Sequence, residues 1–433
     1  MNVLIAGGGV GGLALALMLH QRGIACTVLE AAPAVKPLGV GINTLPHAIR
    51  ELATLDLLPA LDAVAIRTRE LRYLNRFGQE IWKEPRGVWA GHDVPQFSIH
   101  RGHLHQVLWQ AAEARLPVGA LLSNARLQGF TQDAAGVTVQ LTDGRRLSGD
   151  VLIGADGIHS AIRARLHPDD GGIRWNGIQM WRGAVEWPAF EGGDTMIIAG
   201  DMKEKLVLYP MEPGASATTR LTNWVVCAQI GDASKPPPRR EDWSRPGQLD
   251  EVLAHVARFR IPFLDVAALV RATGEFWEYP MCDRDPLPFW TQGRVTLLGD
   301  AAHPMYPVGS NGASQAVLDA RCLADLLATQ APEAALAAYA AERLPKTAEI
   351  VRANRKGGPE RVVDEVSARA PDGFARLEDV ISREELAAIE GQLMSLTYST
   401  YRATSHDVHD RDIGSFQTMP KVYMTDLAGR ISK

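Results

Sequence analysis

Met1-Asn-Val-Leu-Ile-Ala-Gly7-Gly-Gly9-Val10-Gly-Gly12 opens the chain, and a second apolar run, Ile24 to Leu29, ends on Glu30. The β-rich stretch Val3 to Ala6 leads straight into Gly7-x-Gly9-x-x-Gly12. A helical pattern with Leu13, Leu15, Leu17 and Leu19 begins at once. Each glycine has its own physical reason. Gly7 permits the tight turn, Gly9 lets a pyrophosphate approach the backbone, and Gly12 lets the helix pack against the strand. The helix N-terminus adds unpaired N–H groups and a partial positive charge. A carboxylate at Glu30, closing the next strand, suits the ribose diol. The reading is strand, glycine turn, helix, strand, acid. It predicts a dinucleotide-binding fold with Gly7, Gly9, Val10, Gly12 and Glu30 at the ligand.

Two later segments repeat the logic. Val295-Thr-Leu-Leu-Gly299-Asp300 is an apolar strand ending on an acid. A loop with Pro307, Gly309, Asn311 and Gly312 follows, then a helix from about Ala313. Asp300 is placed to hold the hydroxyls of a ribityl chain. The N–H groups from Gly309 to Ala313 are placed to face the flavin edge where negative charge gathers on reduction. Val151-Leu-Ile-Gly-Ala-Asp156-Gly157 again runs strand, turn, helix, ending near Arg163.

These three segments, in this order, resemble the group A flavoprotein monooxygenases, the single-component FAD-dependent aromatic hydroxylases. The resemblance spans roughly residues 1 to 355. It implies that Gly7 to Glu30 binds the ADP half of FAD and that Asp156-Gly157 lies near the pyrophosphate and the nicotinamide. It also implies that Gly299-Asp300 binds the ribityl chain. Pro37 to Asn43, Glu70 to Tyr73, Glu84 to Gly87, Ser98 to Gly102, Met180 to Gly183 and Tyr279 to Pro288 are most similar to the phenazine-1-carboxylate hydroxylase branch. In that family the arginine at Arg101 reaches the FAD phosphates and ribityl; its alternative is a solvated arginine at a helix start. The implied fold is α/β. A Rossmann-like FAD-binding domain, with a parallel sheet and a hairpin insert, joins an antiparallel-sheet substrate domain. The implied reaction is hydroxylation of a planar aromatic or N-heteroaromatic acid by NADH or NADPH and O2, through a flavin C4a-hydroperoxide, with or without decarboxylation. A dehydrogenase or reductase on the same fold and a non-catalytic flavin-binding protein are the alternatives.

Composition agrees. The 433 residues are 46% hydrophobic and 22% charged, with net charge −5. That length allows two domains, and the absence of a basic block argues against nucleic acid. No apolar run approaches the ~20 residues a membrane span needs, and because the first residues read directly into a strand, no signal peptide is expected. Cys26, Cys227, Cys282 and Cys322 are scattered, without a CxxC pair. Buried thiols in a reducing cytoplasm are expected, with no metal site. His100, His103 and His105 read as helix-face histidines. The expected assembly is a monomer or a homodimer.

The chain is expected to weave. Residues 1–72, 98–170 and 281–345 are assigned to the FAD-binding domain, 73–97 and 171–280 to the substrate domain, and 346–433 to C-terminal helices and tail. A hairpin is predicted around the Asp143-Gly144 turn. A surface loop or linker is predicted at Lys235 to Arg240, and a surface helix or helix pair over Ala324 to Ala341. A further helix is predicted over Glu378 to Met394. Strand alternation puts Met180 and Arg182 on one face and Trp181 and Gly183 on the other. Arg182 is a candidate for holding a substrate carboxylate or for bridging the domains. Tyr209 and Trp224 are candidates for stacking on a planar ring or for sheet core, and Pro307 for the pocket loop. Some family members carry a histidine between the equivalents of Pro307 and Gly309. Here the residue is Val308, so no histidine base is expected there.

Overall fold

The computed structural model describes residues 1–34, 40–237 and 245–389. Part of the Pro37–Asn43 stretch, part of the Lys235–Arg240 loop, the last residues of the Glu378–Met394 prediction and the C-terminal tail lie outside the described residues; within them, Leu377–Asp379 is a 3-10 turn and helix begins only at Arg383.

Asn2–Ala6 is the middle strand of a five-stranded parallel sheet. Val151–Gly154 and Val295–Leu297 lie on one side, Ala25–Leu29 and Leu121–Leu122 on the other. The Val10–Gln21 helix is buried from Gly11 to Leu19. A helix apolar all round has to be covered on every side. It packs against the Arg101–Arg115 and Gly312–Thr329 helices as well as the sheet. The 143–144 turn joins Val137–Leu141 to Arg146–Gly149, which extend to Leu127–Gln132 as a three-stranded antiparallel meander.

The second large sheet has seven strands, from Phe276–Arg284 through Ile173–Pro188, Thr219–Gln229, Glu204–Pro213, Thr195–Gly200 and Glu70–Leu74 to Glu80–Pro85. It is antiparallel except where Thr195–Gly200 meets Glu70–Leu74 in parallel. The chain enters this sheet at Glu70, three residues before Tyr73, because Leu71 already faces the apolar cluster that holds Tyr73. One face carries Trp181, Trp224, Leu206, Leu208 and Val226 under the Leu249–Val256 and Val266–Ala272 helices. The other face looks toward the parallel sheet.

Two features were not anticipated. Gly41–Thr44, Phe97–His100 and Ala65–Arg67 form a small antiparallel sheet between the two large ones. The Ala-rich region is a helix pair, one of the two forms expected, but Gly312–Thr329 and Pro332–Asn354 pack into the core instead of lying at the surface. Ala335, Leu336 and Tyr339 are buried in the main core, and the Tyr339 hydroxyl donates to the Leu297 carbonyl at 3.1 Å. Beyond it, the Arg361–Arg369 helix packs Val362, Val363 and Val366 against Leu71, Tyr73, Met196 and Ile198 of the seven-stranded sheet.

Candidate active site

A cavity of about 390 Å³ opens between the sheets. Gly9, Val10, Gly11, Arg101, Gly157, Asp300 and the 307–313 loop form one wall; Met180, Arg182, Lys205, Tyr209, Val225 and Cys227 of the seven-stranded sheet form the other.

The glycine turn is shaped for a dinucleotide. Gly7 has φ +109°, and a Cβ there would lie 2.3 Å from the Ala155 carbonyl oxygen. A Cβ on Gly12 would lie 2.1 Å from the Gly7 carbonyl oxygen. At Gly9 a Cβ meets nothing within 4 Å, because that side of the backbone faces open space. The first two glycines serve the protein's own packing, and the third leaves room for a ligand. The Glu30 carboxylate accepts from Gly8 N at 2.8 Å and Ala32 N at 2.7 Å, so it also fixes the turn. Each oxygen keeps a lone pair for a ribose hydroxyl. His105, beyond the reach of the sequence reading, places Nε2 2.5 Å from the Gly8 carbonyl oxygen.

Two helix N-termini converge on the cavity. Neither Gly9 before Val10–Gln21 nor Asn311 before Gly312–Thr329 caps its helix with a side chain. The first-turn N–H groups therefore remain for a ligand. The Asn311 Oδ1 is buried without a hydrogen-bond partner among the described residues. These features fit a bound FAD: pyrophosphate at Gly9 and Val10, ribityl at Asp300, and the flavin edge at Gly309, Asn311 and Gly312.

The Gly299-Asp300 turn is clamped from two sides. Asp319 accepts from Gly299 N at 3.1 Å, from His303 Nε2 at 2.5 Å and from Arg343 Nε at 2.7 Å. Burial pushes the Asp319 carboxyl up, but His303 and Arg343 outweigh it and hold it at about 2. Arg163, itself fully buried, donates to the carbonyls of Ala301 and Ala302 at 3.3 and 3.0 Å. Asp300 is left exposed at the cavity wall. Asp300→Ala is expected to raise the Kd for FAD about 10- to 150-fold, from loss of a charge-assisted acceptor worth roughly 1.5–3 kcal/mol. Titration of apoprotein with FAD, followed by fluorescence quenching, checks this; an unchanged Kd removes Asp300 from the site.

The other sequence candidates separate. Arg101 is the first residue of the Arg101–Arg115 helix and lies on the wall. Gly157 is on the wall with φ +79°, but the Asp156 carboxylate turns away to accept from Ala161 N at 2.8 Å, at the start of the Ala161–Leu166 helix. Arg182 lines the cavity and also donates to the Gly41 carbonyl at 3.3 Å, which ties the seven-stranded sheet to the small one. Burial lowers its pKa. Tyr209 and Pro307 are on the wall. Trp224 is a correction. It pairs with Gly183 and Leu208 on the opposite face, where its Nε1 donates to Thr273 Oγ1 at 2.9 Å. A Cβ on Gly183 would come within 2.7 Å of the Trp224 indole, so the glycine makes room for the ring in the core. His100 and His103 converge on Glu212 of the large sheet, with His103 Nδ1 2.8 Å from Glu212 Oε1. No sequence spacing shows that meeting.

Lys205 and Glu360 were missed. Parity along Lys205, Val207 and Tyr209 would have put Lys205 on the cavity face. Glu360, in the Gly358–Glu360 turn, sits in no periodic pattern.

Comparison with known proteins places this cavity. The FAD binding domain family matches residues 1–354. Phenazine 1,6-dicarboxylic acid hydroxylase PhzS of Lysobacter antibioticus is 45% identical over 364 residues, covering 82% of this chain and 89% of that protein. The chain belongs to the FAD-dependent aromatic hydroxylases. 3-Hydroxybenzoate 6-hydroxylase 1 of Aquipseudomonas alcaligenes is 32% identical to the hydroxylase, over 81% of this chain and 86% of its own. Among solved structures, a variant of Klebsiella pneumoniae HpxO complexed with FAD superposes with a TM-score of 0.69 at 25% identity, covering 92% of the hydroxylase and 98% of that chain. The hydroxylase is thus an FAD-dependent monooxygenase that uses NAD(P)H and O2. No helix among the described residues is long and apolar enough to cross a membrane.

Proposed function

We propose that the hydroxylase acts on a planar N-heteroaromatic carboxylic acid, a phenazine carboxylate or a smaller relative, and hydroxylates its ring with or without loss of the carboxylate. The observation that carries this is Arg182, a guanidinium on the buried wall of the cavity and on the face that looks toward the dinucleotide turn. Bound FAD, reduced by NAD(P)H, supplies the oxygen chemistry. The chain's own residues do the rest. Arg182 orients the acid through its carboxylate, and a planar guanidinium suits a bidentate pair. Met180, Tyr209 and Val225 offer a broad apolar surface to the ring. The seven-stranded sheet and the Arg361–Arg369 helix keep water from the reacting centre. We read the parallel-sheet half as the FAD domain and the seven-stranded sheet as the substrate domain. The four buried cysteines support a reducing, cytoplasmic setting.

A panel of aromatic and N-heteroaromatic acids, scored by stimulated NADH and NADPH oxidation, identifies the substrate. With labelled dioxygen, one labelled atom is expected in the product and the other in water. Substrate-stimulated NAD(P)H oxidation that leaves every product free of label would overturn the proposal.

A further inference from the structure

The cavity carries a second polar feature, remote from the dinucleotide turn. Lys205 and Glu360 form an ion pair on its wall, with side chains only 3% and 5% exposed. Glu360 also accepts from Gly309 N at 3.4 Å, so it touches the loop that faces the flavin. Burying two charges costs several kcal/mol per ion before their attraction offsets it. A pair facing a ligand cavity is therefore a candidate for recognition rather than for stability.

Register fixes where the pair stands relative to Arg182. Lys205 lies opposite Cys227, which lies opposite Met180; Arg182 lies opposite Val225, which lies opposite Val207. Arg182 and Lys205 thus share one sheet face, two strands and two residues apart, ~12 Å between backbones from standard strand spacing. Their electrostatic characters differ. At one end the guanidinium groups of Arg182 and Arg101 both stand on the wall. At the other end Glu360 pairs with the Lys205 ammonium, and the Asp364 carboxylate, held by Met202 N at 2.7 Å, stands close enough to act on both. Arg86, also on the wall, is paired with Glu84.

We infer that Lys205 and Glu360 form a polar subsite without excess positive charge that selects a monoacid over a diacid: the substrate's carboxylate meets Arg182, and its far edge presents an uncharged hydrogen-bonding group to the pair. A second carboxylate brought to Lys205 would meet Glu360 as a like charge in a buried place, where such repulsion is weakly screened. A ring nitrogen, hydroxyl or carbonyl accepts from Lys205 without that penalty. The inference rests on the Arg182 reading above.

The test compares two probes that differ by one carboxylate, phenazine-1-carboxylate and phenazine-1,6-dicarboxylate, on FAD-loaded enzyme. Their Kd values are read from the absorbance change of the bound flavin. The wild type is expected to bind the monoacid more tightly. Glu360→Gln keeps an acceptor for Gly309 N and removes one of the two carboxylates that act on Lys205. It is expected to shift the Kd ratio at least tenfold toward the diacid. Lys205→Gln leaves Glu360 as a net anion and is expected to shift the ratio the other way. A ratio in Glu360→Gln within twofold of wild type overturns the inference, as does a wild type that prefers the diacid. Should Glu360→Gln not retain FAD, an unchanged ratio in Lys205→Gln overturns it equally. If neither acid perturbs the wild-type flavin, while other aromatic acids or none stimulate NAD(P)H oxidation, it is the proposed substrate class that fails.

Discussion

Gly9→Ala is expected to yield a folded, colourless protein, and Gly12→Ala a clearly destabilised one. The two glycines stand three residues apart in one motif, yet they answer to different demands. At Gly9 an added methyl group enters open space in the protein, so thermal unfolding of the apoprotein should move by no more than a degree or two. The methyl occupies the side from which a pyrophosphate must approach. FAD should be lost on gel filtration, with Kd raised at least about 100-fold, or roughly 2.7 kcal/mol. At Gly12 the methyl would sit 2.1 Å from the Gly7 carbonyl oxygen, with Ile5 Cγ2 at 3.4 Å behind it. The Gly7 carbonyl is backbone and cannot yield as a side chain would, and overpacking of this kind costs about 1–3 kcal/mol or more. Circular dichroism melts of the two apoproteins, beside FAD titrations, check both halves. Equal melting temperatures for the two variants would contradict this division of roles.

Arg182→Ala is expected to lower kcat/KM for the carboxylate substrate about 10- to 150-fold, equivalent to roughly 1.5–3 kcal/mol of a charge-assisted contact. The corresponding carboxamide, which never paired as an anion, should lose less than about threefold. Because Arg182 also donates to the Gly41 carbonyl, a merely structural role would penalise acid and amide alike. Steady-state kinetics on both compounds therefore separates recognition from bridging. Equal losses would leave Arg182 as a strut between the sheets and move carboxylate recognition elsewhere on the wall.

What was legible in the sequence was local. Gly7, Gly9 and Gly12 act within a dozen residues of one another, so their spacing alone carries their geometry. The same holds for Asp143-Gly144, where a tight turn joins two strands. Trp224 was misplaced because its face depends on register between strands. Tyr209 pairs with Asn223, and Leu208 with Trp224, so Tyr209 and Trp224 point to opposite sides. Nothing within either strand reveals that offset. Strands of three or four residues, such as Ala65–Arg67, are too short for alternation to show. The Asp319–Arg343 and Lys205–Glu360 pairs join residues 24 and 155 positions apart. Only Lys205, flanked by alternating apolar residues on a strand, left a trace of its burial. The Asp156 carboxylate followed the opposite course: its motif was legible, but the hydrogen bond to Ala161 N that turns it from the cavity was not.

The alternation of the seven-stranded sheet also sets how this enzyme can change. Met180, Arg182, Lys205, Val207, Tyr209, Val225 and Cys227 face the cavity, while their immediate neighbours Trp181, Leu206, Leu208, Trp224 and Val226 form a core sealed by two helices. Residues that choose a substrate and residues that keep the protein folded are interleaved one by one, yet separated by the thickness of the sheet. Saturation mutagenesis at every second position along these strands should yield altered substrate ranges in proteins that still fold. The same diversity moved by a single residue should yield mostly inactive aggregates. New specificity can therefore evolve here by substitution alone, without insertions or a rebuilt scaffold.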